Sequence, residues 1–391
     1  MPKKRKKINK GLAAVACVIA LIIGLVGGFA VKTFALATTY EIPETQTFNA
    51  STSTTGLNAE VITKKDLSIH FLELGNKYTG DCTFIKVGKT EILVDAGSRA
   101  DSVQTIYDYI NPYIEDELDY VIVTHAHQDH YAGFATGENQ ESLFDKLNAK
   151  TVITFPQTNQ KASSTLYNNF TRELDETKDK NGTKVYTVKD CYNNANGASR
   201  TYSLGDGVEI EFLYQKYYDE KAKTENDYSV CFMINQTVDG GEYHYLFTGD
   251  LEKGGEESLV EKNDLPKVKL YKAGHHGSKT SSSAKLLEKI QPETVCVCAC
   301  AGSSEYTVKN ENQFPTQEFV DRVSLYTSKV YVTSLCVDYE KGQFTSMNGN
   351  IVFTVAKSGD IQTFFGNDST PLYQTEWFKN NRTLPADAKK E

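Results

Sequence analysis

The chain has 391 residues, of which 39% are hydrophobic and 24% charged, with 9 Pro and 27 Gly. This composition excludes a collagen-like, a wholly disordered or a multi-span membrane chain, and suits one large catalytic domain with appendages. The formal net charge is −9, but residues 1–32 carry +7, so the remaining 359 hold −16. A body that acidic has no general electrostatic footprint for duplex nucleic acid, and strong duplex DNA binding is not expected.

In chain order, residues 1–10 form a basic tail that the positive-inside rule places in the cytoplasm. Residues 11–31, GLAAVACVIALIIGLVGGFAV, contain no charged side chain. At about 1.5 Å per residue they reach across the roughly 30 Å hydrocarbon core of a bilayer. An uncleaved signal anchor is favoured over a signal peptide cleaved after Ala37, because the apolar run exceeds the ~7–15 residues of a signal h-region. The expected location is the cell membrane, single-pass, with the catalytic part outside the cytoplasm; the alternative is secretion after cleavage. Residues 32–65 are Ser/Thr-rich and read as a linker, and residues 366–391 as a polar tail whose Trp377-Phe378 pair can pack back on the body.

Residues 66–365 alternate strand-like and helix-like segments. SIHFLELG, CTFIKV and TEILVDAG predict three strands too close together for helical crossovers, DSVQTIYDYI a helix, and DYVIVT a buried strand. Further strands are VEIEFLY, SVCFMI, YHYLFTG, KVKLYKAG, TVCVCAC, KVYVTS and NIVFTV; helices fall near ESLFDKLN, STLYNNFTRELDE, EESLVEK, SAKLLEKI and TQEFVDRVSLY. The class is mixed α/β. Cys296, Cys298 and Cys300 alternate and so share one strand face, and no C-x-x-C spacing supports a structural zinc cluster. His70 and His244 lie in strands and read as structural.

Chemistry concentrates at three strand ends. Thr124-His125-Ala126-His127-Gln128-Asp129-His130 follows DYVIVT directly. Three imidazoles and a carboxylate so close together repel or compete unless a divalent cation takes their lone pairs. Gly274-His275-His276-Gly277-Ser278 follows a second strand, and Asp250 ends a third; one of His275 and His276 is expected to bind metal. Lysines 267, 269, 272, 279, 285 and 289 surround the second cluster, with Lys279 and Ser278 the expected substrate contacts. Asp81 and Asp95 are turn and strand-end carboxylates placed to orient the metal-binding loop. Gly277-Ser278-Lys279-Thr280 lacks the glycine before the lysine that a P-loop needs.

T-H-A-H-Q-D-H resembles the H-x-H-x-D-H signature of the metallo-β-lactamase superfamily. Val94-Asp95-Ala96-Gly97, Phe247-Thr248-Gly249-Asp250 and the Gly274–Ser278 segment follow in that family's order. The pattern is most similar to the hydrolase domain of ComEC-type DNA-uptake competence proteins and their stand-alone relatives. The resemblance implies a four-layer αβ/βα sandwich with a site for two divalent ions, zinc by default, with manganese or iron also suited to a thiolate-free set. By that resemblance His125 and His127 hold the first ion, Asp129, His130 and His276 or His275 the second, and Asp250 bridges both. Asp129 or Asp250 would accept the proton of the attacking water. Many members place a further histidine where this chain has Glu225-Asn226-Asp227-Tyr228-Ser229; Asn226 and Ser229 are expected to meet substrate there. The implied activity is a membrane-tethered, extracytoplasmic phosphodiesterase. The alternatives are hydrolysis of a lactone, lactam or thioester, and a weakly catalytic binding or assembly protein.

Overall fold

A computed structural model of the chain describes residues 66–137 and 140–389. The predicted basic tail, membrane segment and linker lie outside the described residues. Among the described residues no helix is long and apolar enough to cross a membrane.

Sixteen strands are described: β1 (Leu67–Phe71), β2 (Thr83–Val87), β3 (Thr90–Val94), β4 (Leu118–Val123), β5 (Ala149–Thr154), β6 (Lys184–Thr187), β7 (Thr201–Gly205), β8 (Val208–Phe212), β9 (Phe232–Val238), β10 (Gly241–Phe247), β11 (Leu270–Lys272), β12 (Thr294–Ala301), β13 (Val330–Asp338), β14 (Gln343–Ser346), β15 (Ile351–Val355) and β16 (Ile361–Phe365). They form two eight-stranded sheets, in the orders β16-β15-β1-β2-β3-β4-β5-β6 and β14-β13-β12-β11-β10-β9-β8-β7. The short links predicted between the first three strands give antiparallel pairs, whereas β3, β4 and β5 run parallel. Helix α1 (Ser102–Ile110) makes the crossover from β3 to β4.

Strand periodicity explains the layering. Along β12, Cys296 and Cys298 enter the core between the sheets, while Val295, Val297 and Ala299 face a second core on the other side. That second core is closed by Leu259 of α2 (Lys253–Lys262), Leu286, Leu287 and Ile290 of α3 (Ala284–Ile290), and Phe319 and Val320 of α4 (Gln317–Val323). Val295 and Val297 therefore pack as a buried strand face should, and the alternate cysteines serve as small apolar fillers. All seven described cysteines are free thiols. Residues 366–389, which the sequence set apart as a polar tail, bury Leu372, Tyr373 and Phe378 in this second core.

Phe71 of β1 stacks on Phe247 of β10 across the sandwich at 6.4 Å, and Phe232 of β9 stacks on Phe247 at 4.7 Å. These rings pin the end of β10 against the first sheet, just before Asp250. His70 is buried between Tyr109 and Ser68, bonded to each at 2.9 Å, the structural role expected of it.

Candidate metal centre

Four loops meet at one edge of the sandwich, joined by backbone hydrogen bonds. Asp81 N–H donates to the Asp129 carbonyl at 2.9 Å, Gly97 N–H to the Asp81 carbonyl at 2.7 Å, and Ala96 N–H to the His130 carbonyl at 2.7 Å. The loop after β4 is held at Thr124, whose N–H and hydroxyl both donate to Asp95, at 2.8 and 2.7 Å. Asp95 sits at φ +57, a left-handed conformation costly for a residue with a Cβ. Gly80 and Gly249 are required by crowding: a Cβ on Gly80 would stand 2.7 Å from Ser98 Cβ and 2.9 Å from the Asp129 carbonyl, and one on Gly249 2.8 Å from Ser229 Oγ.

The side chains converge on Asp250. Its Oδ2 lies 3.0 Å from His130 Nε2, 3.3 Å from His276 Nε2 and 4.0 Å from His125 Nε2. His125 Nε2 stands 3.1 Å from His127 Nδ1, and Asp129 Oδ2 stands 3.3 Å from His276 Nε2. Of the two adjacent histidines, His276 joins this group. His275 is turned away, with Nδ1 2.9 Å from Thr280 Oγ1 and 3.9 Å from Glu252. Both have positive φ, +46 and +54; two consecutive side chains held in the left-handed region store strain of the kind found at functional sites.

Asp95 and Asp81 hold the histidines from behind. His130 Nδ1 meets Asp95 Oδ2 at 2.7 Å, and His276 Nδ1 meets the Cys298 carbonyl at 2.9 Å and Asp81 Oδ1 at 3.2 Å. With Nδ1 of both rings occupied, their Nε2 atoms face Asp250. Asp81, His130, Asp250 and His276 offer ligand atoms all within 4.8 Å of one another. Asp81 approaches the rings at Nδ1 and Asp250 at Nε2, so Asp81 belongs to the supporting layer.

The residues fit a divalent cation. Among the described residues, Nε2 of His130, Nε2 of His276 and Oδ1 of Asp250 are buried with no well-aligned hydrogen bond despite the short approaches to Asp250 Oδ2, which a buried polar atom tolerates poorly unless a cation satisfies it. The field has the matching sign. Burial opposes the charged form of His130 and His276, yet Asp250 and Asp81, joined by Asp95 at His130 and Asp129 at His276, hold both imidazoles well above their usual range. Burial, with His130 and His127 alongside, holds His125 well below it, in the neutral form that ligates metal.

Other expected contacts are placed differently. Ser229 is fully buried behind the site; its hydroxyl accepts from Asp250 N–H at 3.0 Å and lies 3.4 Å from His125 Nδ1. It supports the ligand loop and cannot meet substrate. Asn226 is buried too and donates to Glu252 Oε1 at 3.0 Å. Ser278 Oγ is 3.1 Å from Thr280 Oγ1, and the exposed Lys279 amine donates to Asn312 at 2.9 Å. Lys269, Lys285 and Lys289 pair with Glu293, Glu261 and Asp264. Lys272, grouped with them in sequence, is instead buried in an ion pair with Asp81.

Two features escaped the sequence. Tyr306 donates to Asp129 Oδ2 at 2.7 Å, and its ring meets Phe314, which in turn packs 5.7 Å from both His275 and His276. A cleft of about 340 Å³ opens beside His127, lined by Asn159, Gln160, Lys161, Ser163, Ser164 and Glu225. No motif marks either one, because the segments around Tyr306 and Lys161 carry no recognisable ligand spacing.

Residues 75–137 match the family model described as the metallo-β-lactamase superfamily. Competence protein ComA of Neisseria gonorrhoeae is 36% identical over 133 residues, which is 33% of this chain and 17% of that protein. Recombination protein 2 of Haemophilus influenzae is 31% identical over 126 residues, 32% of this chain and 14% of that protein. The chain thus spans less than a fifth of the length of these curated relatives. Among solved structures, the metallo-β-lactamase fold protein YhfI from Bacillus subtilis is 14% identical, with a TM-score of 0.36 over 68% of this chain and 95% of that one. The resemblance to the superfamily, and within it to competence proteins, is borne out. The matched segment and the mixed α/β sandwich agree with the metallo-β-lactamase fold, and the buried Asp/His group could hold a metal ion.

Proposed function

We infer that the chain is a membrane-tethered, extracytoplasmic phosphodiesterase that works with two divalent ions, zinc by default. His125, His127 and Asp250 would hold one ion; Asp129, His130, His276 and the shared Asp250 would hold the other. The ions when bound lower the pKa of water toward neutrality and stabilise charge developing on the phosphoryl oxygens. The chain's own residues supply the rest. Asp95 and Asp81 fix the ring orientations, Asp129, 3.3 Å from His276 Nε2, would accept the proton of attacking water, and Tyr306 holds the Asp129 carboxylate in place.

The observation that favours a phosphodiester is the cleft at His127: every residue lining it is polar, and it includes Lys161. Lys161 there is offset by Glu225, so the wall suits a hydrated, polar substrate better than the apolar parts of a lactone or thioester. Membrane tethering rests on the uncharged run at residues 11–31.

The test is turnover of bis(p-nitrophenyl) phosphate by the metal-loaded full chain, beside p-nitrophenyl acetate, a lactone and a β-lactam. Phosphodiester turnover that vanishes in Asp129→Asn is expected. Turnover confined to one of the carbonyl substrates would replace this reading with hydrolysis of that bond.

A further inference from the structure

The two strand ends that deliver Asp250 and His276 each reach a lysine three residues further on, Lys253 and Lys279. Three residues of extended chain span at most about 10 Å, so both lysine Cα atoms lie within that reach of Asp250 or His276. The two segments also touch, because Lys253 N–H donates to the Thr280 carbonyl at 2.9 Å. Together with α3 and α4 they enclose a cavity of about 350 Å³, separate from the cleft at His127.

Lys253, Lys279, Lys285 and Arg322 line this cavity, against a single carboxylate, Glu257. From the neighbouring elements Glu261 also faces Lys285, and Glu256, Glu318 and Asp321 face Arg322, which leaves Lys279 as the cation with no carboxylate beside it among the described residues. Arg322 is anchored by backbone carbonyls: Nε donates to Ser282 O at 2.9 Å and Nη2 to Ser281 O at 2.8 Å. Its guanidinium is therefore fixed in place. Lys253 stands 3.9 Å from Glu257, Lys285 pairs with Glu261 at 2.5 Å, and Lys279 meets, among the described residues, only the neutral Asn312. The lysine pairs are exposed and weak, so an incoming anion can compete for both amines. Thr280 and Ser283 add hydroxyls to the wall. Thr280 Oγ1 is also the partner of His275 Nδ1, which links the cavity to the metal loop.

We propose that this cavity is an anion subsite that holds a second phosphate of the substrate while the scissile phosphate lies at the metal centre. The substrate is then a phosphodiester polymer, or a molecule with at least two phosphates, rather than a singly charged diester. The subsite assigns Lys253, Lys285 and Lys279 to substrate recognition and leaves the cleft at His127 for the other side of the scissile bond. The proposal rests on the phosphodiesterase reading above.

Two measurements on the metal-loaded full chain test it. Calorimetric titration with inorganic phosphate is expected to show binding that Lys253→Gln/Lys285→Gln weakens about tenfold and Lys253→Arg/Lys285→Arg restores, as loss of charge-assisted contacts requires. In steady-state kinetics, the wild type should show a lower KM for a p-nitrophenyl phosphodiester bearing a further phosphomonoester than for bis(p-nitrophenyl) phosphate. That KM ratio should collapse about tenfold in the Gln variant. Phosphate binding that the substitution leaves unaltered overturns the subsite, as does turnover with an unchanged KM ratio. Lysine-dependent phosphate binding without any phosphodiester turnover upholds the anion site and sinks the phosphodiesterase reading alone.

Discussion

The ammonium of Lys272 forms a buried ion pair with Asp81, and Asp81 stands 3.2 Å from Nδ1 of His276. Both partners are 4% exposed. Lys272 thus neutralises a carboxylate that orients the imidazole proposed to bind metal. Breaking a buried pair by removing one partner leaves an uncompensated charge. Lys272→Met is therefore expected to destabilise the fold by about 3–5 kcal/mol in chemical denaturation. It should also weaken metal affinity by about 10–100-fold, as loss of a ligand's supporting partner does. An unchanged metal affinity in a folded variant would remove Lys272 from the site.

Tyr306→Phe deletes the hydroxyl on Asp129 but keeps the ring against Phe314. A hydrogen bond to a charged group contributes about 1.5–3 kcal/mol. If Asp129 acts in the reaction, kcat should fall by roughly 10–100-fold at little altered KM. The thermal midpoint should fall by only a few degrees. A loss confined to KM would make Tyr306 a substrate contact instead.

Gly80→Ala would place a methyl group 2.7 Å from Ser98 Cβ and 2.9 Å from the Asp129 carbonyl, most of it against backbone that cannot give way. Overpacking of this kind costs about 1–3 kcal/mol. The displaced element carries Asp129, so metal content of the purified variant should fall along with its denaturation midpoint. Gly182→Ala, where a Cβ meets nothing within 4 Å but φ is +68, should cost stability without touching metal content.

Burial, with the Lys86 charge nearby, lowers the pKa of His70 to about 3. The unfolded chain protonates this histidine near pH 6.5, so between that pH and about 3 the unfolded state binds the extra proton. Stability from neutral His70 is therefore full above pH 6.5 and is lost as the pH falls. Between pH 7 and 4.5 the loss is about 2–3 kcal/mol. His70→Gln should be less stable at pH 7 yet show a flatter decline in urea midpoint toward pH 4.5. Parallel declines in the two proteins would refute the assignment.

Much of the candidate site could be read from the chain because the residues proposed as ligands are local. His125, His127, Asp129 and His130 fall within one turn after a buried strand, and Asp250 and His276 each follow a strand of their own. Lys272 and Ser229 could not be placed this way. A lysine near a histidine cluster looks like surface until Asp81, distant in sequence, is seen to bury it. Ser229 resembles a pocket residue until its hydroxyl is found under Asp250 N–H. The strands left out of the sequence reading were β5 and the four sheet edges, β6, β7, β14 and β16. Edge strands such as Lys184–Thr187, with no buried residue, lack the apolar alternation that marks an inner strand. Lys150 interrupts the apolar run of β5 in the same way.

The most direct test of the whole account is the metal content of the purified full chain, measured by mass spectrometry on the same samples assayed with bis(p-nitrophenyl) phosphate. Among the described residues, Asp250 is the one carboxylate within 4.0 Å of His125, His130 and His276 alike. Two divalent ions per chain with phosphodiester turnover are expected, and at most one ion with turnover abolished in Asp250→Asn. Turnover that persists in metal-free protein, or an Asp250→Asn variant that keeps both ions and full activity, would contradict it.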